Sequence, residues 1–140
     1  MNIIITGASS GIGHALVRKL SQNEKHHIIA IARSEDRLNA LKMACQFPQN
    51  IHTIAFDLAD ENYDSLEVGI KKHFANIDIL VNNAAMILHK SFVDSTTTDC
   101  KDVFRINILA PIKLTRMLYP LFNKKSHIVN IGSMGGVQGS

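Results

Sequence analysis

Five short runs of apolar residues constrain this chain more than anything else in it. They are Ile3 to Thr6, Ile28 to Ala32, Ile51 to Phe56, Ile77 to Val81 and Ile128 to Ile131. Each is continuous rather than alternating, the pattern of a strand covered on both faces, as in a parallel sheet. Between the runs, apolar residues recur at helical spacing: Ile12, Ala15, Leu16 and Leu20, then Leu38, Leu41 and Cys45, then Tyr63, Leu66, Ile70 and Phe74. A longer helix is expected over Thr98 to Leu121. Strands alternating with helices build βαβ units, so the fold class is α/β with a doubly wound parallel sheet. The chain has 140 residues, 46% of them apolar, with no internal repeat and no interdomain linker, so one domain over residues 1–140 is expected.

Composition excludes several classes of partner. The formal net charge is +3, but the basic residues are scattered, and Lys71-Lys72 and Lys124-Lys125 are the longest runs. Nucleic-acid binding calls for a clustered stripe, so no nucleic-acid partner is expected. No stretch reaches the ~20 apolar residues of a membrane span, and Asn2-Ile3-Ile4-Ile5 is too short for a signal segment. Cys45 and Cys100 have no metal or redox spacing, and the seven histidines form no His-Glu-x-x-His arrangement. No metal site is expected, and the cysteine usage points to a reducing cytoplasm.

The most informative motif is Thr6-Gly7-Ala8-Ser9-Ser10-Gly11-Ile12-Gly13, directly after the first apolar run and opening the first helix. Glycines at such a turn permit close backbone approach to a ligand. The helix N-terminus offers unpaired N–H groups and a partial positive charge to a pyrophosphate. Ser9 and Ser10 add hydroxyl donors. The irregular segment Ala85 to Thr97 follows a strand's C-terminal end, the edge at which ligands bind in such sheets.

Arg33 bears on which nucleotide is bound. NAD enzymes usually place an acid at the end of the second strand, about 20 residues past the glycine loop, where it bonds the ribose hydroxyls. Here the strand ends Ala30-Ile31-Ala32-Arg33-Ser34, and Glu35 and Asp36 fall in the first turn of the next helix. A planar guanidinium suits a 2′-phosphate, so NADP(H) is favoured over NAD(H), with Arg33 and Ser34 as candidate contacts. Pro111 carries a separate message. It lies four residues after Asn107 and has no N–H for that residue's carbonyl, so the helix should kink there.

The loop spacing, Gly-x-x-x-Gly-x-Gly, resembles that of the short-chain dehydrogenase/reductase family, and further pieces follow in the family's order. Phe56-Asp57-Leu58 ends the third strand, Asn82-Asn83-Ala84-Ala85 ends the fourth, Asn107 lies in the long helix, and Ser133 follows Ile128-Val129-Asn130-Ile131-Gly132. The resemblance implies a Rossmann fold with strand order 3-2-1-4-5. It implies Gly7, Ser9, Ser10, Gly11, Ile12, Gly13, Asp57, Leu58, Asn83, Ala84 and Ala85 as cofactor contacts, with Asp57 against the adenine. Ser133 and Asn107 would be catalytic, the main chain of Asn107 holding a water of the proton relay. Ala85 departs from the family's glycine by one methyl. The resemblance also implies a second subunit against the long helix.

The family sets a Tyr-x-x-x-Lys pair opposite the serine, and its place falls beyond Ser140. The only tyrosines are Tyr63 and Tyr119, neither with a lysine four residues later. The natural chain is therefore expected to continue, and these 140 residues alone to be inactive. Two readings follow: an NADP(H)-dependent oxidoreductase interconverting a carbonyl and an alcohol on a small molecule, and a non-catalytic NAD(P)-binding sensor or regulatory module. Ser133 and Asn107 favour the enzyme.

Overall fold

The computed structural model describes residues 1–133, so residues 134–140 of the expected domain lie outside the described residues. Five strands alternate with helices: β1 (Asn2–Thr6), α1 (Gly11–Leu20), β2 (His27–Ala32), α2 (Glu35–Met43), β3 (Ile51–Ala55), α3 (Asp64–His73), β4 (Ile77–Asn82), α4 (Thr97–Phe104), α5 (Ala110–Leu118) and β5 (Phe122–Asn130). The strands form one parallel sheet, as the apolar runs predict, in the order β3-β2-β1-β4-β5 that the family resemblance implies.

The continuous apolar strands are buried on both faces because helices cover both. Ile3 and Ile5 of β1 point to the side closed by Val17 of α1 and Leu38 and Leu41 of α2. Ile4, between them, points to the side closed by Leu66 and Ile70 of α3 and Leu114 and Leu118 of α5. Ile3, Ile4 and Ile5 are all 0% exposed. Each isoleucine so buried contributes on the order of 1.5–3 kcal/mol, which makes β1 the spine of the domain. Tyr63, Leu66, Ile70 and Phe74, predicted to share a helix face, are all buried, with Tyr63 and Phe74 flanking α3 as its two caps.

Two elements differ from expectation. The fifth strand begins at Phe122 rather than Ile128, because Ser126 Oγ donates to the Ile77 carbonyl at 2.6 Å and carries the polar stretch Asn123 to Ser126 past a register shift. The helix expected over Thr98 to Leu121 is not uniform. Between α4 and α5 a π-helical segment, Arg105–Leu109, widens the coil, and a 3-10 turn, Tyr119–Leu121, ends it. The N–H of Ala110 reaches back five residues to the Arg105 carbonyl. Pro111 is the predicted cause of an irregularity here, and its form is a π-bulge, a common way for a helix to absorb one residue too many.

A candidate nucleotide cleft

β1, β2, β3 and β4 all end at the same edge of the sheet, and a cavity of about 510 Å³ runs along it. Its floor at β1 is the glycine loop, with Gly7, Ser9, Ser10 and Ile12 in the wall. Gly7 has φ 66° and Gly11 φ 54°, the left-handed region that glycine occupies without a Cβ clash. At α1 no acidic residue occupies the first turn, and the Ser10 side chain makes no capping hydrogen bond. The helix therefore presents its N–H groups and partial positive charge to the cavity without a resident anion.

Close packing fixes the loop. A Cβ on Gly13 would stand 2.5 Å from both the Gly7 carbonyl oxygen and Asn83 Nδ2, and one on Gly7 would stand 2.8 Å from Ala84 Cα. Gly13 is buried. Gly11 and Gly13 shape the turn rather than line the cavity. The same is true of Ser34, whose hydroxyl accepts from the Arg37 N–H at 3.4 Å and caps α2.

Thr6 links β1 to the end of β4. Its hydroxyl oxygen accepts from the N–H groups of Asn83 and Ala84, both at 3.0 Å, and donates to the Val81 carbonyl at 3.4 Å. Asn83 returns the contact, donating from Nδ2 to the Thr6 carbonyl at 2.9 Å and to the Gly7 carbonyl at 3.4 Å. Asn83, Ala84 and Ala85 also stand in the cavity wall. The sequence flagged Thr6 only as part of the motif. A threonine just before the first glycine, facing an asparagine pair, was the available signal for a hydroxyl bridge.

At the far end of the cavity stand Arg33, Phe56, Asp57 and Leu58. Arg33 is exposed and forms no ion pair among the described residues, so its guanidinium faces solvent and cavity. Asp57 turns its own loop, Oδ1 accepting from the Ala59 N–H at 2.9 Å. Tyr63 lies behind, its hydroxyl donating to the Leu58 carbonyl at 2.7 Å. Burial first, then the carboxylates of Asp57 and Asp60, push the Tyr63 phenol up to about 12.

The near end is closed by Met86 and Ile87, from the irregular segment expected at the binding edge, and by Ile106, which belongs to no motif. Asn107 lies beside Ile106 in the π segment and grips the Met86 backbone at both ends through its side chain. The expected role rested on its main chain, and Pro111 has no N–H to offer that carbonyl. Further along, Lys90 bridges Asp99 at 2.8 Å and Asp99 forms a capping box with Thr96, so the segment re-enters α4 in a fixed geometry. Lys90, then the Thr96 N–H and hydroxyl, hold the Asp99 carboxyl down at about 2.

Ser133 follows β5 at the same sheet edge and is exposed. Two bonds aim that strand end: Asn82 Nδ2 donates to Asn130 Oδ1 at 2.9 Å, and the Ile131 N–H donates to the Asn82 carbonyl at 2.9 Å.

The family model for short chain dehydrogenases matches residues 1–140 in full. The chain belongs to the short-chain dehydrogenase family. It is 31% identical over 144 residues to an NADP-dependent 3-hydroxy acid dehydrogenase of Salmonella typhi, covering 97% of this chain and 55% of that one. It is 30% identical over 141 residues to the human dehydrogenase/reductase SDR family member 11, covering 95% of this chain and 54% of that one. Among solved structures it superposes on L-sorbose reductase from Gluconobacter frateurii, complexed with NADPH and L-sorbose, with a TM-score of 0.85 and 27% identity, covering 98% of this chain and 54% of that one. The chain thus spans about half the length of these relatives. No helix among the described residues is long and apolar enough to cross a membrane, and none of their His, Cys, Asp and Glu side chains group into a metal site.

Proposed function

We propose that this chain binds NADP(H) along the C-terminal edge of its sheet and serves an oxidoreductase that interconverts a carbonyl and an alcohol. The observation that carries this reading is the continuous cavity from the α1 N-terminus to Arg33 and Asp57. One end suits a pyrophosphate and the other a phosphorylated ribose and a base. The residues fit the group: the tight packing of Gly7 and Gly13 against Asn83 and Ala84 holds the loop's backbone along the cavity, and the volume lies within the range of small-molecule clefts. The cofactor, when bound, supplies or accepts the hydride.

This chain's residues do the binding and orienting. The N–H groups at Gly11 to Gly13, with Ser9 and Ser10, hold the pyrophosphate at the helix N-terminus. Arg33 pairs with the 2′-phosphate as a charge-assisted, bidentate donor. Asp57 offers a carboxylate acceptor to the adenine. Ser133 hydrogen-bonds the substrate oxygen. The relatives' names support this reading: one is called NADP-dependent, and another was solved with NADPH.

A second copy completes the reading. Phe104, Ile108 and Ile112 follow one another at intervals of four residues along the α4–α5 rod and are 54%, 45% and 51% exposed. An apolar stripe of that kind marks an interaction surface. It pairs with a second copy of this chain, whereas Ala110, Leu114 and Leu118 face the sheet.

Fluorescence titration of the 140-residue chain with NADPH tests the reading. Saturable binding at one site per chain is expected, and a linear, non-saturating signal overturns it.

A further inference from the structure

Tyr63 belongs to none of the motifs, yet it touches the cavity wall from behind at two points, Leu58 and Phe56, and is held from α5 by a third contact. Its hydroxyl donates to the Leu58 carbonyl at 2.7 Å. Its ring meets the Phe56 ring edge to face, with centroids 5.1 Å apart at 79°. The Lys113 ammonium of α5 lies 5.6 Å from the ring centroid and covers the other face, a cation–π distance. Tyr63 itself is 8% exposed.

We propose that Tyr63 is a positioning residue for recognition of the purine: it sets the Phe56-Asp57-Leu58 wall so that the Asp57 carboxylate meets the exocyclic amine of the bound adenine. The inference rests on the nucleotide reading above.

The reason lies in how few backbone hydrogen bonds hold that wall, whose Phe56 and Leu58 side chains are buried in the core. β3 ends at Ala55, and beyond it only the Phe56 N–H, donating to the Ala32 carbonyl at 2.9 Å, still joins the sheet. The next bonds, from Ala59 N–H to Asp57 Oδ1 and from Asp60 N–H to the Asp57 carbonyl, are internal to the turn and do not anchor it. Among the described residues, Tyr63 is the one donor to the Leu58 carbonyl, and Leu58 is 9% exposed. A buried carbonyl left unpaired costs free energy, and the turn would re-aim to find water. Asp57 lies between the two residues Tyr63 touches, so its carboxylate would move with them. The phenol stays protonated, and so remains a donor, throughout the working range of pH.

The test compares NADPH with its deamino analogue, in which hypoxanthine replaces adenine and the exocyclic amine is absent. The wild-type chain should prefer NADPH by about ten- to a hundred-fold, the worth of one hydrogen bond to a charged group. Tyr63→Phe keeps the ring and removes the hydroxyl, and should bring that ratio close to one. Tyr63→Leu should do the same, and if it unfolds the Tyr63→Phe ratio decides alone. A merely structural role would weaken both ligands together and leave the ratio intact, and that result overturns the proposal. So does a wild-type ratio of one. If the wild-type chain binds neither ligand, the nucleotide reading itself fails, and this inference falls with it.

Discussion

Asn107 holds Met86 by both faces of its backbone: Oδ1 accepts from the Met86 N–H at 2.8 Å and Nδ2 donates to the Met86 carbonyl at 3.0 Å. The pair spans 21 residues and joins the π segment to the stretch that leaves β4. It holds Met86 and Ile87 beside Ile106 at one end of the cavity. A π-bulge placed beside a site often serves to aim one side chain, and here it brings the Asn107 amide to the loop.

Asn107→Ala should therefore lower stability by about 1–3 kcal/mol, two hydrogen bonds at their net worth. Urea denaturation reads this directly. Asn107→Asp is the sharper variant, since a carboxylate accepts from the Met86 N–H but turns an oxygen against its carbonyl. It should be at least as damaging above the carboxylate's pKa. Wild-type stability in both variants would remove the clamp from the account of the fold.

The glycines of the loop should not be equivalent. Gly13→Ala drives a methyl to within 2.5 Å of the Gly7 carbonyl oxygen, which belongs to a loop already fixed by Asn83. Overpacking of this kind costs about 1–3 kcal/mol. A Cβ on Gly11 meets nothing within 4 Å, so Gly11→Ala carries only the strain of its φ of 54°, about 1–2 kcal/mol. NADPH affinity should fall further for Gly13→Ala, because the displaced backbone is the one proposed to cradle the phosphates. Equal losses of affinity at the two positions would contradict the packing described here.

Much of this was legible in the sequence. Continuous isoleucine runs in β1 and β2 left no choice but a sheet covered on both faces, and the glycine loop fixed which edge holds the cavity. Two things were hidden. The polar residues Asn123 to Ser126 carry no apolar strand signal, but the Ser126 hydroxyl substitutes for part of the ladder and extends β5. The Asn107 amide partner could not be read either, since a contact across 21 residues leaves no local periodicity. Pro111 announced a kink, but not that the irregularity would take the form of the π segment Arg105–Leu109.

The stacked pair His52 and His73 predicts an acid weakness. Their ring centroids are 3.9 Å apart at 17°, with Phe74 edge-on to His52. Burial, then the neighbouring His73, Lys42 and His27 charges, lower the His52 pKa; burial, then Lys72 and Lys42, lower that of His73. A base whose folded pKa is lowered is protonated first in the unfolded chain. The stability is therefore complete above the unfolded value of ~6.5 and declines as pH falls below it. Stability measured from pH 7.5 to 5 should fall, and His73→Gln should flatten the slope. An identical slope in the variant would show that other groups carry the effect.

Arg33 should decide between the two nicotinamide cofactors. A guanidinium facing the 2′-phosphate contributes roughly 1.5–3 kcal/mol, the range for hydrogen bonds to charged groups, which is about ten- to a hundred-fold in affinity. Arg33→Asp removes the cation and sets a carboxylate against the phosphate, so NADH should become the tighter ligand. Calorimetric titration of both cofactors into both proteins measures the four affinities. Equal wild-type affinities, unchanged by the substitution, would place Arg33 outside the recognition of the phosphate.

The last expectation concerns turnover. Hydride transfer to a carbonyl leaves an alkoxide that must take a proton. Ser133 can hydrogen-bond that oxygen, but a serine hydroxyl is a poor acid near neutral pH. Tyr63 is committed to Leu58, with its phenol pushed up to about 12, and Tyr119 has no lysine four residues on. No tyrosine of these 140 residues is thus paired as an acid, and a missing positioned acid costs on the order of 100- to 10,000-fold in rate. The 140-residue chain should bind NADPH without oxidising it against a panel of ketones and 3-oxoacyl thioesters, followed by nicotinamide absorbance. Steady oxidation that Ser133→Ala abolishes would mean that a group within these residues donates the proton. The next step would then be to find it among the side chains around Asn107 and Ser133.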